Sequence, residues 1–197
     1  MFNIDAYREK LKERYLLFLY TLSEYKKHIN INTLKRYIYL YYMSSGFFEK
    51  QIDEIKIFID KGDIKISYLE EILNEFDLDG LIAIQGKWIF ALDELSNKVN
   101  LLLDKDKKTT GNFYKNYMSI KPFVNLLSSY NEQFIFTIFF SEPTFQEANQ
   151  KGLLKITSSD SKLTQLLIDF KNQINNEQID NYDILAHWMN FVLKNYY

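Results

Sequence analysis

What the sequence lacks limits its class before any motif is considered. The chain of 197 residues has no cysteine, which excludes disulfide bonds and thiolate metal sites. With only 2 prolines and 6 glycines, it has little room for a loop-rich β architecture. No run approaches the ~20 apolar residues of a membrane span, and residues 1–5 lack the pattern of a signal peptide. We therefore expect a cytoplasmic protein with no membrane contact.

Groups that perform catalysis or bind metals are also scarce. His28 and His187 are the only histidines, and neither belongs to a metal-binding spacing. The glycines are spaced as turn residues and do not form a phosphate-binding loop. Neighbouring acids such as Glu70 and Glu71 point about 100° apart on a helix, so they cannot share a substrate. The sequence therefore predicts a protein that is not an enzyme, with no catalytic residue, metal, cofactor or small-molecule substrate.

The chain is rich in hydrophobic residues, and its charges are unevenly distributed. Hydrophobic residues make up 47% of it, which is enough for a proper core. Residues 1–50 carry nine basic and five acidic side chains, residues 51–104 carry five and twelve, and residues 105–197 carry ten and nine. An acidic middle region is a reason to expect a basic partner surface or docking within the chain, the alternative being an ordinary solvated face.

The clearest local pattern is a helix followed by a tight hairpin. Ser67 and Glu70 are spaced as a capping box, and Gly80 is placed to end the helix in the left-handed conformation. The apolar positions of this helix recur at helical spacing: Leu69, Ile72, Leu73 and Phe76. In 81–90, two β-prone runs flank Gly86, which is the usual signal of a hairpin. We expect one face of the hairpin to pack against the helix.

The elements around this pattern predict a winged helix in the N-terminal half. Helices are expected over about 5–27 and 33–44, from their apolar periodicity. The segment 49–66 is ambiguous, since its alternating isoleucines favour a strand whereas Gly62 would cap a helix. We prefer the helix, followed by a short strand at 64–66 that joins the hairpin in a three-stranded sheet. The order helix, helix, strand, helix, strand, strand is that of a winged helix.

The C-terminal half is expected to be mainly helical. After a helix over 92–103, the charged and polar residues 105–112 read as a linker between 1–104 and 113–197.

Within 113–197 we expect a helix that begins at Pro122 and two further helices over about 159–173 and 180–195. The run 133–140 is either a buried strand or a buried helix, and periodicity does not decide between them. Whether 113–156 contains a second, degenerate winged helix is left open.

Two sets of polar residues are candidates for binding. The helix after Ser67 carries acids and no lysine or arginine, so it is poorly suited to bind the negatively charged phosphates of a nucleic acid. Its polar face is therefore a candidate protein interface, expected to be solvent-exposed: Glu70, Glu71, Asn74 and Glu75. The alternative is nucleic-acid binding through basic residues nearer the N-terminus: Arg8, Lys12, Lys35 and Arg36. On the first helix these alternate with acids, as on an ordinary solvated helix.

The pattern resembles the middle component of ABC three-component systems, the Lamassu-type anti-phage operons built around an SMC-like ATPase. The resemblance is carried by residues 34–42, 68–73 and 80–90, with a smaller contribution from 130–143. It covers about half of the chain, and its motifs are structural. More loosely, the chain is similar to winged-helix partners of SMC complexes, which bind protein with the faces that relatives use for DNA.

The resemblance implies a function without an active site. The chain would be a bacterial adaptor subunit that bridges the SMC-like ATPase and an effector, often a nuclease, and holds the effector inactive until phage or plasmid DNA is sensed. Contact with DNA would be indirect or secondary. One alternative is a winged-helix transcriptional regulator that binds DNA through its basic first helix. Another is a toxin–antitoxin or phage accessory protein that acts through protein contacts.

Overall fold

The described residues are mainly helical and include two small antiparallel sheets, which confirms the predicted class. The computed structural model describes residues 4–48, 54–60, 63–108, 111–174 and 179–196. The helices are α1 (Ile4–Ser23), α2 (Ile31–Ser44), α3 (Leu69–Leu78), α4 (Asp93–Lys107), α5 (Asn112–Ser128), α6 (Glu132–Phe140), α7 (Pro143–Gln150), α8 (Lys162–Ile174) and α9 (Asn181–Tyr196). The strands are β1 (Ile29–Asn30), β2 (Lys56–Asp60), β3 (Asp63–Ile66), β4 (Ile82–Gln85), β5 (Trp88–Ala91) and β6 (Lys155–Thr157).

The chain divides into two compact units, each built from two segments. Unit 1 comprises Met1–Leu34 and Tyr68–Ser128, and unit 2 comprises Lys35–Ser67 and Ser129–Tyr197. This differs from the predicted division at 105–112, because α1 packs against both α4 and α5 and so keeps both sides of that segment in unit 1. Within the expected linker, residues 105–107 belong to α4 and Asn112 begins α5, whereas 109 and 110 lie outside the described residues. The Asp106 carboxylate accepts a hydrogen bond from the Tyr114 amide at 3.0 Å.

In unit 1, α1 forms as predicted but ends four residues earlier. Its buried stripe contains the expected positions Leu11, Tyr15, Phe18 and Leu22. Tyr25 continues the same spacing within the predicted range 5–27, but it lies beyond α1 and is half-exposed. Its hydroxyl donates to Asn125 at 2.6 Å.

The end of α3 is confirmed, whereas its predicted capping box is wrong. The residue before the helix is Tyr68 in the left-handed region, and no side chain caps the helix. The Ser67 hydroxyl instead donates to the Lys56 carbonyl at 2.8 Å, so it serves the β2–β3 hairpin of unit 2. At the other end, Gly80 has φ 70° and the Leu81 amide donates to the Phe76 carbonyl at 2.9 Å, which closes the helix.

The predicted hairpin is confirmed, but its third strand is not the predicted one. β4 and β5 pair antiparallel with Gln85 opposite Trp88, and Gly86 supplies a positive φ of 60° in the two-residue turn. β1 pairs with β5 and completes the sheet in the order β1-β5-β4. The expected third strand, β3, pairs with β2 in unit 2, because a partner a few residues away costs little loop-closure entropy.

In unit 2, the segment expected to be a helix forms a strand where it is described. β2 alternates exposed and buried side chains and lies between β3 and β6 in an antiparallel sheet. The strand reading of the alternating isoleucines is therefore the right one over 56–60, whereas 49–53, 61 and 62 lie outside the described residues. Five isoleucines form the buried face of the sheet: Ile57, Ile59, Ile64, Ile66 and Ile156.

The later helices agree more closely with the predictions made from the sequence. Of the two alternatives for the run 133–140, strand or helix, the helix is the right one. Asn131 caps this helix, α6, by accepting a hydrogen bond from the Phe134 amide at 2.8 Å. α9 forms over nearly the predicted range, and Asp180 caps it by accepting from the Tyr182 amide at 2.7 Å. Pro122, in contrast, lies inside α5 and does not begin it. Its missing amide leaves only the carbonyl four residues earlier without its usual helical donor.

Candidate functional site

The polar face of α3 is exposed where the sequence predicts it. Glu70, Glu71 and Asn74 are exposed, and we call these three residues the acidic face. The opposite face is buried through Leu69, Ile72, Leu73 and Phe76. Both glutamates lie in the first turn, where negative charge is favoured by the helix dipole. The acidic face is therefore compatible with the stability of α3, and it is exposed to solvent.

An exposed leucine continues this surface and was not anticipated from the sequence. Leu78 is 87% exposed at the end of α3. Because it follows Asn74 by four residues and Glu71 by seven, it lies on the same side of the helix. An apolar side chain bordered by acids is suited to a protein partner, since protein interfaces combine an apolar centre with a polar rim.

Glu75 is less exposed than the other three candidates and forms ion pairs within unit 1. It accepts hydrogen bonds from the Arg8 guanidinium and from the Lys12 ammonium, the latter at 2.7 Å. Its side chain is 34% exposed, so Glu75 is partly buried and less exposed than predicted. The bonds from Lys12 and Arg8 lower the pKa of Glu75, and the same contact raises the pKa of Arg8. These contacts tie α3 to α1.

The other two basic candidates are also engaged. Lys35 is buried, with its ammonium 3.6 Å from the carboxylate of Asp63. The Arg36 guanidinium lies 4.8 Å from the ring centre of Phe136, and burial lowers its pKa. Arg8 and Lys12 belong to unit 1, whereas Lys35 and Arg36 belong to unit 2. The structure thus gives all four basic candidates partners inside the units.

The pairing of Glu75 predicts a pH dependence of stability. Its pKa is depressed in the fold, so its contribution is present above its ordinary value of 4.5 and is lost as pH falls through the lower, folded value. We expect the free energy of unfolding of Glu75→Gln, measured by urea unfolding, to fall less steeply than that of the wild type as the pH becomes acidic. The loss at neutral pH should be small because the group is partly solvated. Glu71→Gln is the control, and an equal flattening in both variants would contradict the assignment.

Unit 2 contributes an apolar groove that the sequence did not indicate. The groove lies between α8 and α9 and has a volume of about 580 Å³. Its apolar lining includes Leu166, Phe170, Trp188 and Phe191. Phe191 is 65% exposed, so the groove is open to a partner's apolar side chain.

Both histidines lie at the surface. His28 is exposed and packs edge-on against Trp88, with ring centres 5.0 Å apart, and His187 is exposed on α9. Across the described ranges, no three or more His, Cys, Asp or Glu side chains are grouped to hold a metal ion. Nor does any helix in those ranges have the length and apolar character to span a bilayer. Comparison with family models, curated proteins and solved structures found no match for the chain.

Proposed function

We propose that the chain is a non-catalytic adaptor subunit of an SMC-like ATPase defence complex. It bridges the ATPase and an effector, such as a nuclease, through protein contacts. The observation that carries the proposal is the acidic face with the exposed Leu78, on the helix that would read DNA in a nucleic-acid-binding relative. Repulsion between these acids and phosphates makes DNA a poor partner for this helix, whereas a basic protein surface is a good one.

The proposal includes a winged helix as the framework of this surface. The elements α1, β1, α2, α3, β4 and β5 follow one another along the chain in winged-helix order, although residues 35–44 of α2 belong to unit 2. β1 lies beside β5 in the sheet. The hairpin β2–β3 is inserted between α2 and α3. In this framework, α3 occupies the position of the recognition helix and the β4–β5 hairpin is the wing.

The alternative, a DNA-binding regulator that uses α1, is less well supported. Arg8 and Lys12 share the carboxylate of Glu75. Binding to duplex DNA gains its affinity from counterions released when cations neutralise phosphates, and a paired cation contributes less. A low-salt gel shift with duplex DNA discriminates: a shift that Arg8→Gln with Lys12→Gln removes would favour the regulator.

Co-purification tests the adaptor function directly. We expect the tagged chain, expressed with the genes that surround it, to recover a large ATPase chain at physiological salt. The chain alone should have neither ATPase nor nuclease activity. Recovery of no ATPase chain from that context would contradict the proposal.

A further inference from the structure

The outer face of the unit 2 sheet carries an aromatic side chain between lysines. In the antiparallel register, Phe58 of the central strand β2 stands opposite Lys65 of β3 on one side and Lys155 of β6 on the other. Directly paired residues point to the same face of a sheet, and these three point away from the buried isoleucines. Lys56 lies two residues before Phe58 on the same face and is exposed. We call these four residues the lysine–phenylalanine row.

This row is accessible, and the two lysines that stand directly beside Phe58 are not paired with any described acid. Phe58 is 46% exposed, although it is on the central strand. Among the residues that the structure describes, neither Lys65 nor Lys155 forms an ion pair. Of the described acids near the row, Asp63 faces Lys35 at 3.6 Å, whereas Glu54 accepts a hydrogen bond from Ser159 at 2.7 Å and also interacts with Lys56, at the edge of the row. The centre of the face is therefore a positive surface around an aromatic ring.

We propose that the lysine–phenylalanine row binds single-stranded nucleic acid. An unpaired base stacks on the ring of Phe58, and the backbone phosphates on either side contact the lysines. Sheet strands are about 4.8 Å apart, so the lysines of β3 and β6 flank the ring closely. Aromatic rings on a sheet face combined with a basic surface are a recurrent way to hold unpaired bases. The inference is independent of the adaptor function, which uses unit 1.

Charge and shape together favour this occupant over two others. An acidic peptide would satisfy the lysines but would leave the ring of Phe58 without a planar partner. A duplex would present phosphates, but its bases are already stacked and paired, so the ring would contribute little. Single strands alone offer both the negative charge that complements the lysines and a free π-face for the ring.

Fluorescence polarisation with a labelled oligothymidylate and the full chain tests the proposal. Three lysines predict that log K falls with log salt concentration with a slope of about −2, at roughly 0.7 per neutralised phosphate. Phe58→Ala should weaken binding about tenfold, which is typical of losing one base–aromatic stack. Lys65→Gln with Lys155→Gln should reduce the slope to about −0.7.

Two further variants separate stacking from folding and from simple apolar contact. Phe58→Leu keeps the bulk on β2 but removes the ring, so it should bind as weakly as Phe58→Ala, whereas Phe58→Trp should retain affinity. Circular dichroism checks that each variant is folded. Tyr25→Ala removes a half-exposed aromatic of unit 1 and should bind like the wild type. Lys107→Gln with Lys194→Gln, which removes two exposed lysines elsewhere, should keep the slope of the wild type.

Three outcomes would overturn the proposal. The first is no binding of the oligothymidylate at low salt. The second is a duplex bound as tightly as the single strand, with Phe58→Leu unchanged, which would reduce the row to a general phosphate contact. The third is polyglutamate bound as tightly as the oligonucleotide and equally sensitive to the lysine variants, which would identify an acidic peptide as the occupant.

Discussion

Replacing Glu142 with alanine should destabilise unit 2 more than any single change on its surface. The carboxylate is fully buried just before α7 and accepts from the Thr144 amide at 3.0 Å, the Thr144 hydroxyl at 2.7 Å and the Phe145 amide at 2.8 Å. It also accepts from the hydroxyl of Tyr39, which is itself buried. Alanine would leave these buried donors without their acceptor, and we expect a loss of about 3–5 kcal/mol in the free energy of unfolding.

Urea unfolding at neutral pH measures this effect as a lower midpoint with little change in slope. Glu147→Ala is the matched control, because it removes a carboxylate on α7 that pairs only with the exposed Lys151 and Lys162, and it should change stability little. Glu142→Gln should be intermediate, since its amide nitrogen cannot accept from two donors. A Glu142→Ala variant as stable as the Glu147→Ala control would contradict the structural role of this carboxylate.

The loss of stability in Glu142→Ala should also depend on pH. Burial raises the pKa of Glu142, although the bonds from Tyr39 and Thr144 act in the opposite direction. A folded pKa above the unfolded one means that the folded state holds the proton more strongly. The part of the Glu142 contribution that depends on protonation is then fully present below its ordinary pKa of 4.5 and is lost as pH rises through the folded pKa, whereas the part that comes from its hydrogen bonds remains at neutral pH. The stability gap between wild type and Glu142→Ala should accordingly be widest at acid pH.

Local signals in the sequence predicted the framework of the candidate site well. Gly80 and Gly86 each need a positive φ, so each marks one conformation whatever its surroundings. The apolar repeat in α3 defined the buried side and therefore the exposed acidic face. These features depend on residues within a few positions of one another, which is why the sequence alone was sufficient.

Features that depend on distant partners were missed. β1 has only two residues, too few for any alternation to identify a strand, and it forms because β5 offers it hydrogen bonds. The commitment of Glu75 depends on Arg8 and Lys12, which are more than sixty residues away in sequence. The helix preferred within 49–66 is wrong over 56–60, because β2 has antiparallel partners on both sides and this pairing outweighed an ambiguous local pattern.

The discontinuity of the two units has the same origin. A polar, charged stretch such as 105–112 is typical of a linker, yet here it lies between two helices that both pack on α1. Composition reports how a segment interacts with water, whereas the division of a chain into units depends on which helices share a core. A candidate such as Lys35 illustrates the same limit, because its burial could not be inferred from its charge.

Reversing the charge of the acidic face should abolish capture of the ATPase chain while leaving unit 1 folded. Glu70→Lys with Glu71→Lys changes two exposed side chains and spares Glu75, whose contacts with α1 support the fold. Against a basic partner surface, attraction becomes repulsion, which slows association and costs several kcal/mol. Lysines in the first turn of α3 also oppose the helix dipole, at a cost of roughly 0.3–1 kcal/mol each, so circular dichroism must confirm the fold.

A second pair of acids supplies the matched control for this last experiment. Asp93 and Glu94 are adjacent, exposed and in the first turn of α4, so Asp93→Lys with Glu94→Lys makes the same change in charge and the same change to a helix dipole. The control should co-elute with the ATPase chain like the wild type. Leu78→Ser, which alters no charge, should weaken capture if the exposed leucine is the apolar centre of the contact. A folded Glu70→Lys, Glu71→Lys variant that still co-elutes fully would move the interface away from α3, and the apolar groove between α8 and α9 would become the better candidate.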